Sequence, residues 1–391
     1  MNQGDDVAFL PFNITKQKKL KVIIIGAGYA GIAALTTLAR FASDTDITII
    51  DPRQQHIKTT HLHETFRYPL EDVLVSFRDI ENRFGCRHIA ASIHFTCNDL
   101  EYFQQQKQLP VQEEFLDFDY LVVATGNPDR PVQPSEDIVL LKDFETSSGS
   151  DLISKSLNKS DQSNLSISVV GGGATGIQFL FELKHFLNRI KSPATLRLIH
   201  SKDRVLESFP IAFNDYIQSR MQELDIAFHP YCYFQQQQSG HIHLKNKLTQ
   251  QQFTLPSILS LLFLGKQQQD SLLANVFGQV IVNNQALQNI FTAGDNSSYE
   301  SIGTNAHTAQ SAVRKGKLVA RNILRHAGFP GLLEPYIHQD LGYVIHLGPH
   351  DAVGWLGTQN NIMTGMPALA IKEIVEAQYD LLLSGIDTYV V

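Results

Sequence analysis

Two glycine-rich turns carry the clearest chemistry in this chain. Gly26-Ala27-Gly28-Tyr29-Ala30-Gly31 and Gly171-Gly172-Gly173-Ala174-Thr175-Gly176 share the spacing GxGxxG. In such a turn the first glycine makes a tight reversal, and the second lets the backbone approach a pyrophosphate. The third lets a helix pack closely on a strand. The phosphates then face the free N–H groups and positive dipole end of a helix. Asp51 stands twenty residues after Gly31, where a carboxylate can hold ribose hydroxyls. No acid takes that place after the second turn, where His200, Ser201, Lys202 and Arg204 stand instead. An acid there favours a free 2′-hydroxyl and basic groups suit a 2′-phosphate, so NADH and NADPH both stay open. Lys202 and Arg204 read equally well as a solvated turn.

Further polar candidates lie downstream. Asp295 follows Gly294 at the start of a helical segment, where it either caps the helix or accepts from ligand hydroxyls. Gln310 and Arg314 are one helical turn apart and can face one pocket. Arg314 reads as a stabiliser of negative charge or as a surface residue. Lys372 reads as a donor to an acceptor oxygen or as a solvated lysine. Cys86, Cys97 and Cys232 form no CxxC or CxxxxC pair, so they read as inert thiols in a reducing compartment. His56, His61 and His63 are close together but lack partnering Cys or Asp clusters, so no metal site is expected.

The elements around these residues follow in order. Lys21–Ile25 is a short apolar run that suits a buried parallel strand, and 47–50 is its successor across a helix. Ser166–Val170, the helical spacing of 177–190 and the strand at 196–199 repeat that unit 145 residues later. Between them 119–126 (DYLVVATG) is a strand ending in a small turn at Thr125 and Gly126. The Pro- and Asp-rich loop after it marks a crossing between domains. The Ser-rich stretch 147–163 reads as surface linker, and 261–265, ending at Gly265, closes the second unit. The run 289–295 is another strand and turn before a helical segment at 305–325. Short Gln clusters at 104–106, 235–238 and 267–269 read as solvated loops. Pro367–Leu383 is amphipathic, with Ala368, Ile371, Val375, Ala377 and Leu381 as its apolar set.

Length and composition limit the function classes. At 391 residues there is room for two or three domains, and 43% hydrophobic with 18% charged residues is an ordinary globular balance. A net charge of −7 argues against nucleic acid as a partner. The first twenty residues lack the basic-then-apolar order of a signal peptide. No run of about eighteen uncharged apolar residues marks a membrane span. Contact with a membrane surface stays open.

Together these residues resemble the two-dinucleotide-binding flavoprotein superfamily, and within it type II NADH:quinone oxidoreductases, over roughly residues 20–385. GAGYAG with Asp51, DYLVVATG, GGGATG and FTAGD occur in that family's order. Residues 56–65 resemble the segment after the acid that binds the FAD ribose. Residues 309–314 resemble the AQxAxQ helix under the flavin, and 363–385 resemble the C-terminal segment with its lysine, here Lys372. Two positions depart from the pattern: Arg314 replaces the last Gln of AQxAxQ, and Gln178 stands where the family places an acid.

The resemblance implies an α/β fold of two Rossmann-type dinucleotide-binding domains, the second inserted in the first, with a small C-terminal α+β unit. The expected division is a polar lead-in at 1–20, an FAD-binding domain at 21–135 and 271–325, an NAD(P)H-binding domain at 136–270, and an acceptor-site unit at 326–391 that also meets a dimer partner or membrane. It implies FAD held by Gly26, Gly28, Gly31, Asp51, Thr125 and Gly126, with Gly294, Asp295 and Ala309 completing that site. NADH or NADPH would be held by Gly171, Gly173, Gly176, His200 and Gly265. Gln310, Arg314 and Lys372 would serve the acceptor. The expected activity is hydride transfer from NAD(P)H to FAD and two-electron reduction of a quinone without proton pumping. The enzyme would be a cytoplasmic homodimer, with contact at the inner face of a membrane left open. The competing expectation is a soluble reductase of a small carrier such as rubredoxin or ferredoxin. A sulfide:quinone oxidoreductase would need a cysteine in the last third of the chain, and none follows Cys232.

Overall fold

The computed structural model describes residues 19–159, 165–267 and 271–389. The expected lead-in lies outside the described residues up to residue 18. So do 160–163 of the Ser-rich stretch and 268–269 of the third Gln cluster.

Lys21–Ile25 sits inside an eight-stranded sheet. It pairs in parallel with Asp46–Ile50 on one side and Tyr120–Val123 on the other. Gln285–Thr292 continues the parallel order beside Tyr120–Val123. The run Val22 to Ile25 is buried on both faces, as a parallel strand covered by helices must be. Each such side chain contributes about 1.5–3 kcal/mol of burial. Helix Tyr29–Phe41 covers this sheet with helix Ala309–His326. The two cross closely at Gly316, where a Cβ would lie 2.2 Å from the Ala30 carbonyl oxygen. That contact accounts for a glycine inside a helix, which otherwise costs about 1 kcal/mol.

A second, five-stranded sheet repeats the plan. Ser166–Val170 pairs in parallel with Thr195–Ile199 and Leu259–Leu262, and Ile226–His229 and Ile138–Leu140 form the edges. Helix Ala174–Arg189 packs on it. The chain leaves the first sheet after Tyr120–Val123, builds the second, and returns to the first with Leu272–Ala274, Gln279–Val282 and Gln285–Thr292. The fold is therefore mixed α/β with two dinucleotide-type sheets, the second parallel throughout and the first parallel except where Gln279–Val282 runs against its neighbours. A three-stranded antiparallel sheet, Gly342–His346, Ala352–Leu356 and Thr358–Thr364, precedes the last helix, Met366–Leu383. Ile345, Val353 and Trp355 join the core of the second sheet, while Tyr379, Leu382 and Leu383 join that of the first. This C-terminal unit thus locks the two sheets together.

Several sequence expectations need correction. The Gln clusters 104–106 and 235–238 are not loops: the first ends helix Cys97–Gln106, and the second lies in strand Cys232–Gln238, where Gln237 is buried. Asp295 does not start a helix; strand Ser297–Tyr299 follows it, and Thr308 caps the helix Ala309–His326. The Ser-rich stretch is not a linker: Gly149–Lys159 is a helix whose Ile153 is fully buried, and Gly149 packs against the Phe66 ring. The apolar set expected on the last helix is also wrong in part. Val375, Ala377 and Leu381 are exposed, whereas Glu376, Tyr379 and Leu382 face inward. The inward face accepts Glu376 because Lys372 on the same helix neutralises it. Among the described residues, no helix is long and apolar enough to cross a membrane.

Candidate functional site

Both glycine turns have the same geometry. Gly26 and Gly171 take φ of +94° and +121°, and a Cβ on either would strike a carbonyl oxygen of the neighbouring strand's end, at 2.4 Å from Ala124 and 2.2 Å from Phe263. Gly31 and Gly176 abut the first glycine of their own turn, with 1.9 Å from a Cβ to its carbonyl oxygen in each case. Gly28 and Gly173 face open space and stand at the N-cap of their helices. An anion can therefore approach both helix N-termini without displacing a side chain.

A cleft of about 620 Å³ runs from the first turn towards the second. It is lined by Gly26, Gly28 and Asp51 from the first unit, by Thr125 and Gly126 after the third parallel strand, and by Gly294, Asp295 and Ala309 from the returning segment. Ala174, Thr175 and Gln178 at the start of the second helix close its far end. Gly31 is buried behind the turn. Gly171, Gly173, Gly176, His200 and Gly265 do not line this cleft; Gly265 ends the strand Leu259–Leu262 region, where its carbonyl accepts from Arg130 N.

Asp51 is buried and accepts from Ala27 N at 2.8 Å and from Arg53 N, Nε and Nη2 at 3.0, 2.9 and 2.9 Å. Burial opposes its charge, yet these bonds and the Arg53 guanidinium hold its carboxyl below the ordinary value. Arg53 is a cleft residue that no motif announces; only its place two after the acid marks it. Asp295 moves the other way: burial raises its pKa, against His307, Lys266 and Lys315. Asn127 also lines the cleft, and its side-chain oxygen is buried without a hydrogen-bond partner. A ligand donor would satisfy it.

After the second turn, Gly172 N donates to His200 Nδ1 at 3.0 Å, and burial lowers the pKa of that imidazole. Lys202 pairs with Glu207 at 3.0 Å, and Arg204 donates to the Glu207 carbonyl at 2.8 Å. Glu207 therefore engages both basic residues that the sequence left between solvent and a 2′-phosphate.

A second cavity, of about 300 Å³, adjoins the cleft. The two share Tyr29, Thr60, Gln178, Thr308, Ala309 and Tyr343. Gln310, Arg314 and Lys372 all line this second cavity, on two helices far apart in sequence. Its remaining wall is largely apolar, with Val313, Leu341, Val344, Trp355 and Ile371. Burial lowers the Arg314 pKa, and the guanidinium lies over the Tyr389 ring at 5.6 Å.

Sequence reasoning missed several charged or polar residues behind these walls. Lys315 is buried and donates to Ser297 O, Ser297 Oγ and Asn305 Oδ1 at 3.0–3.1 Å. Burial brings its pKa down to about 8. His63, read as one of three isolated histidines, meets His346 at 3.0 Å and Gln178 at 3.1 Å. Glu182, on the second helix, is fully buried against Arg67 at 3.0 Å; burial raises its pKa to about 7. A helical stretch with a Glu among Phe and Leu residues was the available signal. The cysteines stand apart from both cavities: Cys86 is partly buried, Cys97 exposed and Cys232 buried.

Comparison with known proteins agrees with this geometry. Residues 20–316 match the family described as pyridine nucleotide-disulphide oxidoreductase. A type II NADH:quinone oxidoreductase of Staphylococcus aureus (strain MSSA476) is 25% identical over 407 residues, covering 95% of this chain and 97% of that protein. The structure of NDH2 from Plasmodium falciparum in complex with NADH superposes with a TM-score of 0.76 at 15% identity, over 93% of this chain and 95% of that one. The sulfide:quinone oxidoreductase of Aquifex aeolicus gives 0.74 at 18% identity, over 94% and 92%.

Proposed function

The chain belongs to the pyridine nucleotide-disulphide oxidoreductase family, and from that premise we propose that it is an FAD-dependent NAD(P)H dehydrogenase that delivers two electrons to a quinone without pumping protons. The observation that carries this proposal is the common wall of the two cavities. A dinucleotide cleft opens through Tyr29, Gln178 and Ala309 onto an apolar chamber that holds Gln310, Arg314 and Lys372.

The cleft fits FAD. Gly28 leaves the first helix N-terminus bare, and Asn127 offers a buried acceptor that lacks a partner. Gly26, Gly28 and Gly31 shape the diphosphate site, and Asp51 with Arg53 faces the ribose end. Thr125, Gly126, Gly294, Asp295 and Ala309 line the rest. A bound flavin supplies hydride acceptance and two-electron delivery; the protein supplies position and electrostatics. Gly171, Gly173 and Gly176 shape the donor's diphosphate site, with His200 and Gly265 at its margins.

In the second cavity, the Arg314 guanidinium favours negative charge on an acceptor oxygen, and the Lys372 ammonium can donate to that oxygen. Gln310 orients it by its amide. The apolar wall selects a ring and excludes water from the carbonyls being reduced. The domain division proposed above follows the two sheets, with 326–391 as the acceptor unit. A homodimer and contact with a membrane surface belong to the same proposal.

Steady-state turnover with NADH or NADPH tests it. A short-chain quinone should be reduced far faster than purified rubredoxin or ferredoxin. Faster reduction of either carrier would replace the quinone with a protein acceptor.

A further inference from the structure

Behind the second cavity, ionisable side chains from three elements meet in a line. Glu376 and Lys372, on the last helix, face the cavity and form an ion pair. His61 Nε2 lies 3.8 Å from Glu376 Oε1, and His61 Nδ1 lies 3.2 Å from Glu64 Oε2. Glu64 Oε1 is 3.5 Å from His346 Nδ1. The other nitrogen of that ring, Nε2, is buried, accepts no hydrogen bond and lies 3.9 Å from Glu373 Oε1. The Glu373 side chain is 65% exposed. The line thus starts in solvent, runs through two imidazoles and a carboxylate, and ends at the cavity wall.

We propose that Glu373, His346, Glu64, His61 and Glu376 form a relay that carries a solvent proton to the acceptor in the second cavity. This rests on the quinone reading above. The balance requires such a supply: NADH + H⁺ + quinone gives NAD⁺ + quinol. The donor brings two electrons and one proton, and one further proton must come from solvent. Glu373 takes it and passes it to His346 Nε2, and His346 releases a proton from Nδ1 to Glu64. Glu64 protonates His61 at Nδ1, and His61 releases a proton from Nε2 to Glu376. Lys372 gives one proton to the quinone oxygen, and Glu376, carrying the relayed proton, restores the ammonium. Return of both imidazoles to their first tautomer resets the line. Three steps, at 3.5, 3.8 and 3.9 Å, close by side-chain rotation or a bridging water, and the first requires His346 Nδ1 to turn from His63 Nε2, 3.0 Å away, towards Glu64.

Every group around the line bears on this. Burial, reinforced by Lys372, holds His346 down at about 3, so its ring is neutral, with one N–H and one open lone pair. Burial opposes charge on Glu64, but His61, His346 and Arg67 hold its pKa below the ordinary value. Burial raises Glu373, with Glu376 adding to the effect. Arg67 also binds Glu182, so it balances the two acids from the second helix and its own loop. His63 branches from His346 and ends on Gln178, an amide that holds no exchangeable acid proton. The branch is therefore a dead end, and the line leads only to Glu376. A divalent cation at His63, Glu64 and His346 is disfavoured, because Arg67 and Lys372 already supply positive charge beside it.

The test uses the FAD-loaded enzyme and its Glu64→Gln variant. Reduction by NADH should be unchanged. Reoxidation by a short-chain quinone should slow by about tenfold or more. Reoxidation by ferricyanide, which takes electrons and no proton, should stay as in the wild type, and added acetate should restore part of the quinone rate. Glu373→Gln, at the exposed entrance where folding is not at stake, should show the same split more mildly. ¹⁵N NMR of histidine-labelled protein gives an independent readout: His346 should exchange between tautomers in the wild type and settle in one in Glu64→Gln. Equal slowing of quinone and ferricyanide, or a wild-type His346 fixed in one tautomer, overturns the relay. Failure of the wild type to reduce any quinone overturns the function instead, and the NMR result still decides whether the line conducts protons.

Discussion

Tyr379 and His56 are hydrogen-bonded at 2.9 Å although 323 residues separate them. The other nitrogen of that imidazole, Nδ1, lies 2.8 Å from the Ala27 carbonyl. A carbonyl only accepts, so Nδ1 carries the proton, Nε2 accepts, and the Tyr379 hydroxyl donates. The last helix is thereby tied to the first glycine turn through one buried ring. Tyr29, within that turn, packs on Tyr379 with centroids 4.5 Å apart. The acceptor cavity and the dinucleotide cleft share a single brace.

Tyr379→Phe should break that brace without changing its volume. The buried Nε2 then loses its donor, at a cost of about 1–3 kcal/mol. Thermal unfolding should fall accordingly, and the KM for quinone should rise more than the KM for NADH. An unchanged unfolding midpoint would mean that the bond holds nothing.

The same ring predicts an acid limit. Burial lowers the His56 pKa to about 4, against Ala27 and Asp51, which favour its protonated form. The unfolded chain takes up that proton near pH 6.5, so the folded state binds fewer protons between the two values. Stability from this group is complete above about 6.5 and is lost as the pH falls through about 4, a total of about 3 kcal/mol. His56→Gln should lower stability at pH 7 but flatten its decline towards pH 4. An equally steep decline in the variant would place the acid limit elsewhere.

Gly28 and Gly31 should respond in opposite ways. Gly28 faces open space, so Gly28→Glu should leave folding intact by circular dichroism while its anion repels the pyrophosphate. The purified variant should lack flavin absorbance. Gly31→Ala meets a carbonyl oxygen at 1.9 Å and should cost about 1–3 kcal/mol through overpacking. A yellow, flavin-loaded Gly28→Glu protein would remove the first turn from the cofactor site.

Glu207 should govern the choice of donor. It holds Lys202 at 3.0 Å and Arg204 through its carbonyl. An exposed pair of this kind is worth about 0–1 kcal/mol, so its loss frees Lys202 cheaply. Glu207→Gln should raise kcat/KM for NADPH relative to NADH several-fold, about what one freed charge-assisted bond allows. No change in the ratio would place the 2′-position away from Lys202.

The two turns were legible because their chemistry is local. Gly26 and Gly171 need positive φ, and Gly31 and Gly176 need the absence of a Cβ, and both needs are written within six residues. The convergence of Gln310, Arg314 and Lys372 on one cavity was legible only through resemblance, since two separate helices supply them. The helix Gly149–Lys159 was hidden by its serines, because one buried side chain, Ile153, carries its docking. The inward face of the last helix was misjudged because Glu376 is buried by partners that periodicity does not register, namely Lys372 and His61. The pairing of His63 with His346 joins residues 283 apart, beyond the reach of any local pattern.

The central claim is that one cleft takes electrons from a nicotinamide and the adjoining cavity passes them to a quinone. Anaerobic stopped-flow absorbance tests it most directly, with the wild type and Lys372→Ala reduced by NADH and then mixed with a short-chain quinone. The prediction is fast reduction in both proteins, fast reoxidation in the wild type, and reoxidation slowed about tenfold or more in Lys372→Ala. Equal slowing of both half-reactions would remove Lys372 from the acceptor's chemistry, and slow reoxidation of the wild type would contradict the quinone assignment itself.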